Sequence, residues 1–395
     1  MPPMLMNRRA LIRCAPAGLL LMTGLPAQAA DAAVPSALPA PDDSLWARRR
    51  ELFAQLLPER MAQLGVPGAQ AVLLREGRPA WSVALGRRGP AASGDDGAPV
   101  QADTVFEAAS MSKPLFAYLV LLQVQAGRLA LDQPVMALMP GEVFDPPQDW
   151  QRLITPRMLL AHTSGLPNWR PGDSGPSERD GPLELLFRPG LRYEYSGEGY
   201  FYLQRLLEHL SGLPLQALAE QQLFKPLGMP GSSFVLTPSV RARRARGHDE
   251  ANQPLPPSEY RHANAAYTLF TTAGDYARFV AEMLRATTAD GTGPAPLLRD
   301  PALRAELLAH QVAATTRQPI ARPGTARGQS VFWGLGWGID TSAQGDIAYH
   351  SGTNRTGFRC YSQFCPARGS GLVLMSNSLM GDRLWRQLVG VMGDL

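Results

Sequence analysis

Apolar residues recur at helical spacing through DSLWARRRELFAQLLPERMAQLG, residues 43 to 65, with Asp43 or Ser44 placed to cap its start. The period then changes. QAVLLREG and PAWSVALG read as two strands joined across a Glu-Gly turn, and the Gly/Asp/Pro-rich piece near 89 to 99 reads as a loop. KPLFAYLVLLQVQAGRL, starting at Lys113, is apolar nearly all round a helix, which places it inside a protein. Helical patterns continue in PRMLLAH, GYFYLQRLLEHLSG, LQALAEQQLF and DYARFVAEMLRA, to about residue 285. WRPGDSGPSERDGP, residues 169 to 182, has no period and reads as a long surface loop. VFWGLGWGI, DIAYHSG, TGFRCYSQF and GLVLMSNS are then short, strand-like and separated by turns, and DRLWRQLVGVM closes the chain as a helix.

Strands near both ends with helices between them predict an α+β protein. Its antiparallel sheet is built from both chain ends and flanked by N- and C-terminal helices, with an inserted, mostly helical lobe. The expected division is an α/β lobe over about 43–109 and 286–395, and a helical lobe over about 110–285. No internal repeat is visible. The length of 395 residues and a hydrophobic content of 45% suffice for a sizeable core.

The first 29 residues read as an export signal. They combine a basic start, a modest apolar stretch and a small-x-small cleavage site at Ala27-Gln28-Ala29. Asn7-Arg8-Arg9-Ala10-Leu11-Ile12 also resembles a twin-arginine signal. The apolar stretch is too short for a good membrane span, so no transmembrane anchor is expected after cleavage, and the mature protein is expected to be periplasmic or secreted. Residues 30–42, rich in Ala and Pro, read as a flexible lead to the folded domain over 43–395.

Removing Arg8, Arg9 and Arg13 takes the formal charge from +4 to about +1, too little to indicate a nucleic-acid partner. Cys14 leaves with the signal. Cys360 and Cys365 lie five apart in a strand-like segment, where an extended chain separates their Cα atoms by about 16 Å. A disulfide needs about 5.5 Å, so only a bulge or turn would join them. No Cys/His spacing for a metal is visible.

Lysine is nearly absent: basic side chains are arginine except at Lys113 and Lys225. In FEAASMSKPLF, Ser110 stands where an N-cap of the buried helix would be, and Lys113 follows three positions later. Side chains at that spacing share a helix face, about 5–6 Å apart at Cβ. An ordinary lysine has a pKa of about 10.4. Burial, and the positive end of a helix, lower it, and a neutral amine can take the proton of a serine hydroxyl. Arginine cannot, because it stays protonated. The same four residues also fit a plain helix cap beside a snorkelling lysine.

SMSK resembles the first motif of the serine β-lactamase and penicillin-binding protein superfamily. LLAHTSGLPNW (159–169), YEYSGEGYFYLQRLLEHLSGLPL (193–215), FKPLGM (224–229) and YHSGTNRTGF (349–358) are similar, in order, to segments of its class C branch, which includes esterases and D-amino-acid peptidases. The similarity covers most of residues 45 to 390 and implies a β-lactamase/transpeptidase-like fold. By resemblance, Ser110 is the acylated nucleophile, Lys113 its proton partner and Tyr195 the second acid/base group, with a phenol pKa lowered by the ammonium. His350-Ser351-Gly352 matches the third motif. There Gly352 would admit substrate backbone, Thr353 and Ser110 would supply oxyanion-hole N–H groups, and His350 would bind a carboxylate when protonated, tune Tyr195 or stand by.

The second motif departs from the family's Y-x-N. Tyr195-Ser196-Gly197 lacks the amide, a loss of about 1–3 kcal/mol of recognition. That puts efficient β-lactam hydrolysis in doubt. His162 reads as a structural histidine of its turn. Phe332, Trp333 and Trp337 fit core packing or an acyl pocket. Glu107, Glu194 and Glu198 lie near the motifs without an evident pairing. The expectation is an exported serine hydrolase forming an acyl-enzyme on a small-molecule or peptide ester, amide or β-lactam carbonyl, with no metal or organic cofactor. A cell-wall D-peptidase or a non-catalytic penicillin-binding module is the alternative. A Ser-His-Asp hydrolase using His350 lacks its G-x-S-x-G elbow.

Overall fold

A computed structural model describes residues 43–89, 97–139, 144–147, 149–170, 182–285, 295–315, 330–342 and 345–392. The expected signal and lead, and all but the ends of the 169–182 loop, lie outside the described residues.

The main sheet is antiparallel throughout. Its strands are β1 (Gly68–Arg75), β2 (Arg78–Gly86), β5 (Val312–Thr315), β6 (Ser330–Trp333), β7 (Gly338–Asp340), β8 (Ile347–Thr353), β9 (Arg359–Cys365) and β10 (Ser370–Ser376), in the order β2-β1-β10-β9-β8-β7-β6-β5. β1 beside β10 joins the two ends of the chain, as the strand pattern predicts. A separate pair, β3 (Phe106–Ala109) with β4 (Leu269–Thr271), was too short to be read from the sequence. Glu76 and Gly77, both with positive φ, make the tight β1–β2 turn.

Alternation along β1 divides the core. Ala69, Ala71 and Leu73 meet the helices Asp43–Leu64 and Gly381–Met392 through Phe53, Leu57, Leu384 and Trp385. Val72 and Leu74 face the opposite layer, which holds Phe279 and Val280 of the helix Ala273–Leu284. That helix packs on β1, β2 and β10, although its sequence position suggested the helical lobe.

The helix Ser112–Gln125 is buried from Ser112 to Gln123. Phe116 lies 5.9 Å from Tyr200 of the helix Gly197–Ser211, and Tyr118 lies 5.7 Å from Phe279. It therefore stands between the sheet-side helix and the helical layer, which is why every face is apolar. Cys360 and Cys365 are buried within the unbroken strand β9, opposite Gly352 and Ser370, and no disulfide joins them to each other. No bulge brings them together.

Candidate active site

The site begins where β3 turns into the buried helix. Ala109 takes φ of 47°, a left-handed conformation that reverses the chain just before Ser110. Ser112 holds this turn: its hydroxyl donates to the Ala109 carbonyl at 2.6 Å and accepts the Leu269 N–H at 3.0 Å. The helix starts at Ser112 with Met111 at its N-cap position and no side-chain cap. Ser110 is thus not the cap its position suggested, and its hydroxyl is left for Lys113.

Lys113 Nζ lies 3.3 Å from Ser110 Oγ and donates to the Ala266 carbonyl at 2.8 Å. The lysine is 0% exposed. Burial holds its pKa well below the ordinary lysine value. A neutral amine keeps a lone pair able to accept the Ser110 proton while an N–H stays on Ala266. The Ala266 carbonyl had no sequence signal, since backbone oxygens carry none.

Tyr195 joins this pair. Its ring centroid is 4.7 Å from Lys113 Nζ. Burial raises the phenol pKa and the Ser110 hydroxyl opposes the rise, although no described atom completes a well-formed hydrogen bond to the Tyr195 oxygen. The expected lowering by a neighbouring ammonium does not occur. Desolvation dominates, and the same desolvation favours an uncharged Lys113. Tyr195 is thus held as a neutral phenol.

His350 is 1% exposed on β8. Its Nδ1 bonds the Ser351 carbonyl at 2.8 Å, which leaves Nε2 as an unpartnered lone pair. Burial, with Lys113 nearby, pushes its pKa down to about 3. It is therefore neutral at physiological pH and does not present the cation expected for a substrate carboxylate.

β8 pairs with β7 only through Ile347–Tyr349, so residues 350–353 extend past that partner, where Gly352 lies against Ala108 and Ala109. A Cβ on Gly352 would stand 2.0 Å from the Ala108 carbonyl. The glycine admits the close approach of the protein's own strand β3. Ser351 is nearly buried and Thr353 is exposed at the strand end.

Gly197 replaces the motif's amide for a visible reason. A Cβ there would stand 2.4 Å from the Trp169 ring, which packs edge-on at 5.8 Å from Tyr267. The Gly197 N–H donates to Asn168 Oδ1 at 2.9 Å.

Of the remaining candidates, Glu107 is buried and accepts from Ser258, Asn354 and Thr356, tying β3 to the turn after β8. Glu198 pairs with Arg170 at 3.2 Å, both nearly buried. Trp337 is core, stacked on Phe279. Phe332 stacks on His310. Trp333 is buried against the rings of His162, Tyr195 and His350. Among the described residues no group of His, Cys, Asp and Glu is arranged to hold a metal ion.

This fold and this cluster define a β-lactamase/transpeptidase-like protein. The chain belongs to the Beta-lactamase family of serine hydrolases, whose profile matches residues 53–388. It is 35% identical over 215 residues to Esterase EstB of Burkholderia gladioli, a match covering 49% of this chain and 52% of that protein. The chain thus spans about half the length of this curated relative. It is 29% identical over 320 residues to Penicillin-binding protein 4 of Amycolatopsis lactamdurans, covering 74% of this chain and 78% of that one. The structure of a Beta-Lactamase/D-Alanine Carboxypeptidase from Pseudomonas syringae superposes with a TM-score of 0.68 at 20% identity, over 87% of this chain and 98% of that chain, a likeness of fold. No helix among the described residues is long and apolar enough to cross a membrane.

Proposed function

We propose that the protein hydrolyses uncharged ester or amide carbonyls through an acyl-enzyme on Ser110. The observation that carries this reading is the 3.3 Å contact between Ser110 Oγ and a fully buried Lys113 Nζ. Neutral Lys113 takes the Ser110 proton as Oγ attacks the carbonyl carbon. The N–H groups of Ser110 and Thr353 stabilise the oxyanion. Tyr195 gives its proton to the departing alkoxide or amine. The acyl-enzyme then sits beside a Lys113 ammonium and a Tyr195 phenolate, which stabilise each other in a low-dielectric site.

Water enters where the leaving group stood. It loses a proton to the Tyr195 phenolate as it attacks, and Ser110 departs with the proton on Lys113. Serine, neutral amine and phenol are restored with no net proton exchange at either residue. His350, neutral on β8, offers no charge to a substrate carboxylate, which favours uncharged esters over penicillins and D-Ala-D-Ala peptides. We also place the protein outside the cytoplasm, on the character of residues 1–29.

The test is intact mass after incubation with a fluorophosphonate and with a penicillin, the modified residue being mapped. Phosphonate on Ser110 with little penicillin adduct is expected. Stable label from both favours the D-peptidase reading. Lys113→Arg is expected to abolish acylation with the fold intact; wild-type rates in that variant would remove the lysine-base mechanism.

A further inference from the structure

His162 holds Tyr195 from both sides along the chain. Its carbonyl accepts the N–H of Glu194 at 2.8 Å, and its Nδ1 accepts the N–H of Ser196 at 3.0 Å. Its ring centroid lies 4.4 Å from that of Tyr195, tilted by 36°. The residue is 0% exposed and adopts φ of 57°. This left-handed backbone is what lets the carbonyl and the imidazole reach the same segment.

The two bonds are not interchangeable with packing. Ser196 is the N-cap of the helix Gly197–Ser211, its hydroxyl accepting the Gly199 N–H at 2.8 Å. Without Nδ1, the Ser196 N–H would be a buried donor without a partner, and the cap next to Tyr195 would shift to relieve it. Because Nδ1 accepts, the neutral ring carries its proton on Nε2.

We infer that His162 is a positioning residue that aims the Tyr195 hydroxyl at the reacting groups, through an acceptor at Nδ1 more than through ring volume. The inference rests on the acyl-enzyme reading above. Asparagine can place Oδ1 near the Nδ1 position and tolerates a left-handed backbone, whereas leucine fills space but accepts nothing.

The test compares His162→Asn and His162→Leu with the wild type on a neutral ethyl ester, whose departing alkoxide must take the Tyr195 proton, beside fluorophosphonate labelling of Ser110. Fluoride departs without a proton from Tyr195, so labelling reads Ser110 and Lys113 alone. His162→Leu is expected to lose about 100-fold in kcat, the scale of a small misplacement, with KM and labelling rate within about threefold. His162→Asn is expected to recover at least about tenfold of that loss. A wild-type kcat in His162→Leu overturns the proposal. So does an Asn variant no better than the Leu variant, or labelling that falls in step with kcat. If His162→Leu fails to fold, as read by thermal unfolding, the Asn variant decides. Near-wild-type kcat supports the inference and a folded variant with a 100-fold loss overturns it. A wild type unlabelled at Ser110 removes the acyl-enzyme reading, and this inference with it.

Discussion

The indole of Trp169 occupies the place that a side chain on Gly197 would take, 2.4 Å from a Cβ built there. The space that the second motif's amide would need is therefore filled by an aromatic ring that packs on Tyr267. Gly197→Asn is expected to cost about 1–3 kcal/mol of stability through overpacking, without any gain in nitrocefin turnover. Adding Trp169→Ala should relieve the clash and recover most of that stability. Urea unfolding of both variants checks this, and an undisturbed Gly197→Asn would mean that the indole moves aside freely.

Gly352 is held against the Ala108 carbonyl, where the obstacle is backbone and cannot rotate away. Gly352→Ala must separate β8 from β3 and so move Thr353 relative to Ser110. The expected result is a loss of about 1–3 kcal/mol in stability together with lower kcat. Unfolding midpoints and ester kinetics would test it; unchanged values in both would contradict the packing.

Lys113 links stability to alkaline pH. Its folded pKa is depressed by burial, while the unfolded chain holds its proton up to about 10.4. Between those values the unfolded state binds the extra proton, so stability rises with pH through the window, by up to about 1.4 kcal/mol per unit. Lys113→Met removes this term and is expected to flatten the rise between pH 8 and pH 9.5. Parallel stability curves for wild type and variant would mean that the folded lysine is charged.

His350 does the same on the acid side. Its folded pKa of about 3 lies below the ordinary value of about 6.5. Its contribution is complete above about 6.5 and is lost as pH falls toward the folded value. From pH 7 to pH 5 the wild type is expected to lose about 2 kcal/mol more than His350→Gln. Guanidinium unfolding at the two values measures the difference, and its absence would place a charged imidazole on β8.

The buried helix after Ser110, the pairing of chain ends and the order of motifs were legible because each rests on a local pattern. A helix apolar on all faces has one destination, and alternating strands have one register that buries them. β3, β4 and β5 escaped notice because three or four residues are too few to establish a period. The helix Ala273–Leu284 was assigned to the wrong layer because amphipathicity tells which side is buried, not what buries it. Likewise the roles of Gly352 and Gly197 were obscure, since a glycine's neighbours in space leave no trace in the chain.

The sequence by itself determined the family, the α+β plan and the serine, lysine and tyrosine on which the proposed mechanism rests, because residue identity and spacing carry those. Tertiary structure alone decided their charge. Lys113, Tyr195 and His350 are all driven toward their neutral forms by desolvation, and desolvation depends on what surrounds a group in three dimensions.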